Sequence, residues 1–141
     1  MPYSIENIHP LFIHFPIALL STGLFFDLLA VLFNREDLEH AGFWCMLMGI
    51  ISCLFSNFTG LMIFLTVGSL SDLPRWDHFN HALLGWGLTF IFILLFWARI
   101  KLDVDFYYST LKRCIYLSIH ILAVGILFYC AHLGAIAAER I

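Results

Sequence analysis

The chain has 141 residues, 62% of them hydrophobic and 12% charged, with a mean hydropathy of +0.92. A soluble domain carries about 25% charge, so the composition excludes a water-soluble globular protein and points to an integral membrane protein. A formal net charge of −3 leaves no basic footprint, and nucleic acid is excluded as a partner.

The first apolar run, 11–33, is entered through "IHPLFIHFP" (8–16), with two histidines and two prolines. The preceding "MPYSIEN" holds no Lys or Arg and the run is too long for a signal-peptide core, so this helix is expected to stay in the membrane. Pro10 suits the first position of a helix. Pro16 is expected either to kink the helix or to start it afresh, releasing the Phe12 carbonyl and letting His14 swing inward. Asp27 lies deep in the same run, where an unpartnered carboxylate is costly. Arg99 and His120 fall at depths that suit them as its partners, for a structural or a proton-handling role.

The second run, 41–67, carries a polar stripe of Ser52, Ser56, Asn57, Thr59 and Gly60, suited to bonding a neighbouring helix, a ligating imidazole or cofactor propionates. In the third, 79–98, His81 is followed by Gly85 and Gly87. The fourth, 114–138, sets His132 between Gly125 and Gly134. Small residues at such places admit a close helix or a flat macrocycle.

Each run is close to the ~20 residues that cross a ~30 Å hydrocarbon core. Helices are therefore expected at about 10–33, 40–67, 78–100 and 112–138, in one domain over 1–141. The connectors "NREDLEH", "GSLSDLPRWD" and "RIKLDVDFYYSTLKR" are short, so the fold class is an all-α, antiparallel, up-down four-helix membrane bundle. Cys45, Cys53, Cys114 and Cys130 fall at unrelated spacings without CxxC and read as small core residues. Trp44, Trp76, Trp86 and Trp97 lie near helix ends, as in an interfacial belt.

Four spans put the first and third connectors on one side, with Arg35, Arg99, Lys101, Lys112 and Arg113. The other side holds only Arg75 and Arg140. The positive-inside rule places the first group in the cytoplasm and both termini outside, in the periplasm of a Gram-negative inner membrane.

At a rise of ~1.5 Å per residue, His14, His81 and His132 fall at one level, each roughly 10 Å to the outer side of its helix centre. His9 and His78 sit about one turn further out. His40 marks the start of the second helix, and His120 lies alone near the midplane. Interfacial histidines such as His9, His40 and His78 are ordinarily amphipathic surface residues. Three imidazoles from three helices at one depth inside the span instead suggest a shared site.

Imidazole ligates haem iron, copper and zinc. No carboxylate accompanies the outer layer within the span, which disfavours a hydrolytic zinc site. The leading expectation is a b-type cytochrome holding one or two haems b, with His14, His81 and His132 as axial candidates and His9 and His78 as ligands of a second haem or donors to propionates. His120, Asp27 and Asn57 are secondary candidates. The alternatives are a copper- or zinc-handling protein and a structural assembly subunit. A small bundle burying a large cofactor gives up much of its own core, so a homo-oligomer or a place in a larger membrane complex is expected beside lipid.

"HPLFIHFPIALLSTGLFFDLLA" (9–30) resembles the opening of the DUF2231 family of small bacterial four-helix membrane proteins, which begins HP-x3-HFPIAL and carries an aspartate one to two turns before the helix ends. His9, Pro10, His14, Phe15, Pro16 and Asp27 stand at matching positions. A histidine at the start of the third helix, His78 or His81, and the late "AHLGAIAAERI" (131–141) extend the likeness. That segment is similar to a family "GHLGG" with Ala131 and Ala135 in place of two glycines and without the family's tyrosine-containing tail. The resemblance implies the bundle. Through the family's association with c-type cytochromes, it also implies respiratory electron transfer with a c-type cytochrome or quinol.

Overall fold

The computed structural model describes residues 8–66 and 75–137, with side chains placed for 12–63, 65, 81–101 and 109–135. Four helices follow one another: α1 (Ile8–Phe33), α2 (Glu36–Thr66), α3 (Arg75–Tyr108) and α4 (Thr110–Ala137). Each contains a stretch long and apolar enough to cross a membrane: Phe12–Phe33, Glu36–Ile63, His81–Lys101 and Thr110–Ala135. The chain is a multi-pass membrane protein whose apolar outer side chains, among them Phe25, Leu32, Phe58, Phe90, Leu122 and Phe128, meet lipid.

Two residues join α1 to α2. Asn34 takes a left-handed φ of 50° and the Arg35 amide bonds back to the Ala30 carbonyl at 3.1 Å, a Schellman closure that ends α1. The α2 helix starts at Glu36, earlier than the expected 40, because Glu36, Asp37 and Glu39 in its first turn suit the positive end of the helix dipole. Only Ser109 separates α3 from α4. The expected connector 99–113 is helical up to Tyr108, since 99–108 contains no Gly, Pro or Asn to break the pattern. The Ser109 carbonyl and hydroxyl then receive the Arg113 and Lys112 amides. At 34 residues α3 is about 51 Å long and outruns a ~30 Å hydrocarbon core.

The helices form a ring in chain order, α1 against α2, α2 against α3, α3 against α4 and α4 back against α1. The first of these interfaces is the largest. It is made close by glycines: a Cβ on Gly23 would lie 3.3 Å from the Gly42 carbonyl oxygen, and one on Gly49 would lie 2.7 Å from Leu20. In lipid, helices gain little from hydrophobicity when they associate, so such backbone approaches and interhelical hydrogen bonds hold the bundle. Its centre receives one fully buried side chain from each helix, Leu20, Met46, Phe92 and His120.

The α1 helix runs unbroken through Pro16, so it does not start afresh there. Cys53 and Cys130 are buried and Cys45 half-buried, but Cys114 is exposed, contrary to its expected core place. It lies two residues from Tyr116, about 200° around the helix from that core-facing side chain.

The glycine seam is testable in detergent by thermal unfolding. Gly49→Ala should destabilise by about 1–3 kcal/mol through overpacking against Leu20. Gly125→Ala, with nothing within 4 Å of the added carbon, should be neutral or stabilising.

Candidate functional site

Polar groups occupy the bundle at three levels. At the end where α1 starts and α4 finishes, His81 of α3 is half-buried and its Nδ1 donates to the Cys130 carbonyl of α4 at 3.1 Å, with the Cys130 thiol 3.6 Å away. Gly134 makes this contact possible, because a Cβ there would stand 2.7 Å from the His81 ring. A carbonyl can only accept, so the neutral ring carries its proton on Nδ1 and its lone pair on Nε2.

His14 and His132 share that depth but are exposed. Helix phase explains the difference. The buried positions of α1 are Pro16, Leu20, Gly23, Asp27 and Ala30, and those of α4 include Tyr116, His120, Ala123, Leu127 and Cys130. Each exposed histidine stands two residues, about 200°, from a buried position of its own helix. His14 therefore does not swing inward beside Pro16. Among the described residues no three His, Cys, Asp or Glu side chains gather as a metal site. The side chains of His9 and His78 lie outside the described residues.

The glycines near these histidines admit side chains. Gly85 faces the Asn57 amide, Gly134 faces His81, and Gly87 and Gly125 open outward. Of the α2 stripe, Ser52 and Thr59 bond carbonyls of their own helix, at Met48 and Ser56. Asn57 crosses to α3 and donates to Thr89 Oγ1 at 2.9 Å and to the Gly85 carbonyl at 3.3 Å. This second level ties α2 to α3.

The third level, toward the α1–α2 and α3–α4 connectors, is the most elaborate. Arg99 Nη1 donates to both oxygens of Asp27, at 2.7 and 2.8 Å, and the two residues are 3% and 2% exposed. Tyr116 Oη donates to Asp27 Oδ2 at 2.9 Å and lies 3.1 Å from Arg99 Nη1. Arg99 Nη2 donates to the Glu39 carbonyl at 2.7 Å, and the guanidinium sits over the Phe43 and Tyr116 rings. One turn beyond Tyr116, His120 places Nδ1 3.4 Å from Asp27 Oδ2. Both side chains named by depth as partners of Asp27 stand beside it.

Tyr116 and Gly42 were not singled out by the sequence reading. Tyr116 precedes His120 by four residues and so shares its helix face, a signal the sequence does contain. A Cβ on Gly42 would overlap the Asp27 carboxylate, so that glycine is the space into which the acid fits.

Fold and polar levels together define a small four-helix membrane protein with an intramembrane ion pair. The chain matches the family described as "Predicted membrane protein (DUF2231)" over residues 6–141 and belongs to it. No curated protein and no solved structure matches the chain.

The ion pair makes a sharp prediction for unfolding in detergent or mixed micelles. Arg99→Met alone should destabilise the bundle by about 3–5 kcal/mol, because it strands a buried carboxylate. Asp27→Leu combined with Arg99→Met should restore much of that loss. Additive losses in the double variant would show that the two side chains do not act as a pair.

Proposed function

We propose that the chain is an electron-transfer subunit of the bacterial inner membrane that holds haem b at the end of the bundle bearing its termini, with His81 as an axial ligand. The observation that carries this reading is the bond from His81 Nδ1 to the Cys130 carbonyl. It fixes the tautomer and the ring plane, as a backbone carbonyl does for a metal-ligating histidine, and makes Nε2 the nitrogen that would ligate iron. This donor fits haem iron. Bound haem supplies one-electron chemistry.

The protein's own part is to hold the imidazole. The Cys130 carbonyl accepts the hydrogen bond from its Nδ1–H, Gly134 gives the ring room, and the α3–α4 contact keeps both in place. His14 and His132, exposed on adjoining helices, are the candidates for a second ligand, with His9 and His78 following them in sequence depth. Imidazoles turned outward on an apolar surface favour a homo-oligomer or a larger membrane complex as the setting. The excess of Lys and Arg at the connector end favours periplasmic termini, with a c-type cytochrome or quinol as redox partner.

A second reading is an assembly subunit, with or without copper or zinc at the same histidines. The same His81 bond favours it, since that bond already satisfies part of the imidazole by joining two helices.

A reduced-minus-oxidised spectrum of protein purified from haem-supplied cells separates the readings. Haem binding gives a Soret band and a reduced α-band that His81→Ala and His14→Ala bleach and His40→Ala spares. Stoichiometric copper or zinc without these bands would point to metal handling. No metal, and a loss of only about 1 kcal/mol on replacing His81, would leave the assembly reading.

A further inference from the structure

Among the described residues, the most anomalous group is His120. It is 0% exposed, and neither ring nitrogen has a hydrogen-bond partner. A neutral imidazole brings one donor and one acceptor into the core, and burying both unsatisfied is unfavourable. Rings pack against it, Phe92 of α3 at 5.9 Å and Tyr116 of its own helix α4 at 5.6 Å, and the Met46 thioether of α2 lies 3.8 Å from the Tyr116 hydroxyl. The fourth helix, α1, brings a carboxylate. Asp27 Oδ2 stands 3.4 Å from Nδ1, within reach of an ion pair but without hydrogen-bond alignment.

We propose that Asp27 and His120 form an intramembrane proton-binding site, in which His120 takes one proton from the aqueous phase and becomes an imidazolium paired with Asp27. Among the described residues, the charged and titratable groups around the pair are Cys45 on α2, Arg99 on α3 and Tyr116 on α4. Arg99 keeps its charge at every accessible pH, so Asp27 and Arg99 cancel at rest and uptake of the proton gives the cluster one net positive charge. A carboxylate offers about four lone-pair sites. Arg99 uses one on each oxygen and Tyr116 a second on Oδ2, so Oδ2, the oxygen that His120 faces, is already shared and the open site lies on Oδ1. An Nδ1–H bond to Oδ2 therefore forms in competition with the Tyr116 hydroxyl. A small rotation of the ring brings Nδ1–H onto the carboxylate. The network extends from this pair through Arg99 to the Glu39 carbonyl in the first turn of α2, so polar atoms reach from the site toward the connector end. Carboxylate and histidine chains of this kind inside membranes move protons.

The site is separate from the histidines at the other end of the bundle, and it is read by a signal that does not depend on haem. The full chain, labelled with 15N-histidine, is reconstituted in lipid bilayers and followed by solid-state NMR. The His120 resonance is the one missing from His120→Gln. It should convert from neutral imidazole to imidazolium between about pH 8 and pH 5 in the native chain and stay neutral over that range in Asp27→Asn. Because Asp27→Asn also breaks the ion pair with Arg99 and can unfold the bundle, Tyr116→Phe is the second arm. It removes the hydroxyl that competes for Oδ2 and keeps the carboxylate, so conversion should come at roughly three- to tenfold lower proton concentration than in the native chain. A His120 signal that stays neutral throughout in the native chain overturns the proposal, as does one that converts identically in Asp27→Asn or is unmoved by Tyr116→Phe.

Discussion

The bond between Arg99 and Asp27 is the constraint around which the rest of the bundle is arranged. A guanidinium cannot shed its charge, and in hydrocarbon a lone charge is tolerated only where another group answers it. Arg99 therefore needs α1 for Asp27, α4 for Tyr116 and α2 for the Glu39 carbonyl, while it is itself carried by α3. No helix can be withdrawn without leaving part of the cluster unsatisfied. The same demand reaches the backbone: α1 and α2 must approach closely enough that residue 42 can only be glycine, because the carboxylate fills the space of its side chain.

The other two levels are weaker versions of the same solution. Asn57 joins α2 to α3 through one amide, and His81 joins α3 to α4 through one ring nitrogen. Polar contacts thus become simpler from the connector end toward the termini. This gradient gives the two ends different characters. The connector end is locked by charge. The terminal end keeps a half-buried imidazole and two exposed ones, an arrangement suited to meeting something outside the bundle.

Helix number, membrane placement and the partners of Asp27 were legible in the sequence because they follow from run length and depth, and depth is linear in residue number. Azimuth follows from helix phase, which depth alone does not carry. His14, His81 and His132 share a height, yet only His81 lies on its helix's inward line with Leu84, Leu88, Phe92, Leu95 and Arg99. The 3.6-residue period that separates them was present in the sequence and would have assigned His14 and His132 outward. The length of α3 was missed for a different reason. Charged residues at 99–105 read as a loop on hydropathy, but charge ends a membrane span without ending a helix. The role of Gly134 could not be read at all, since its neighbour His81 lies 53 positions away and only packing brings them together.

The two shortest connections, Asn34–Arg35 and Ser109, divide the chain into a pair of helical hairpins separated by the segment 67–74. Asp27 belongs to the first hairpin and Arg99 to the second. Each hairpin by itself therefore carries an unanswered intramembrane charge, and the two are complementary. The completed bundle is the first state in which both charges are answered, so the ion pair couples the stability of each hairpin to the presence of the other.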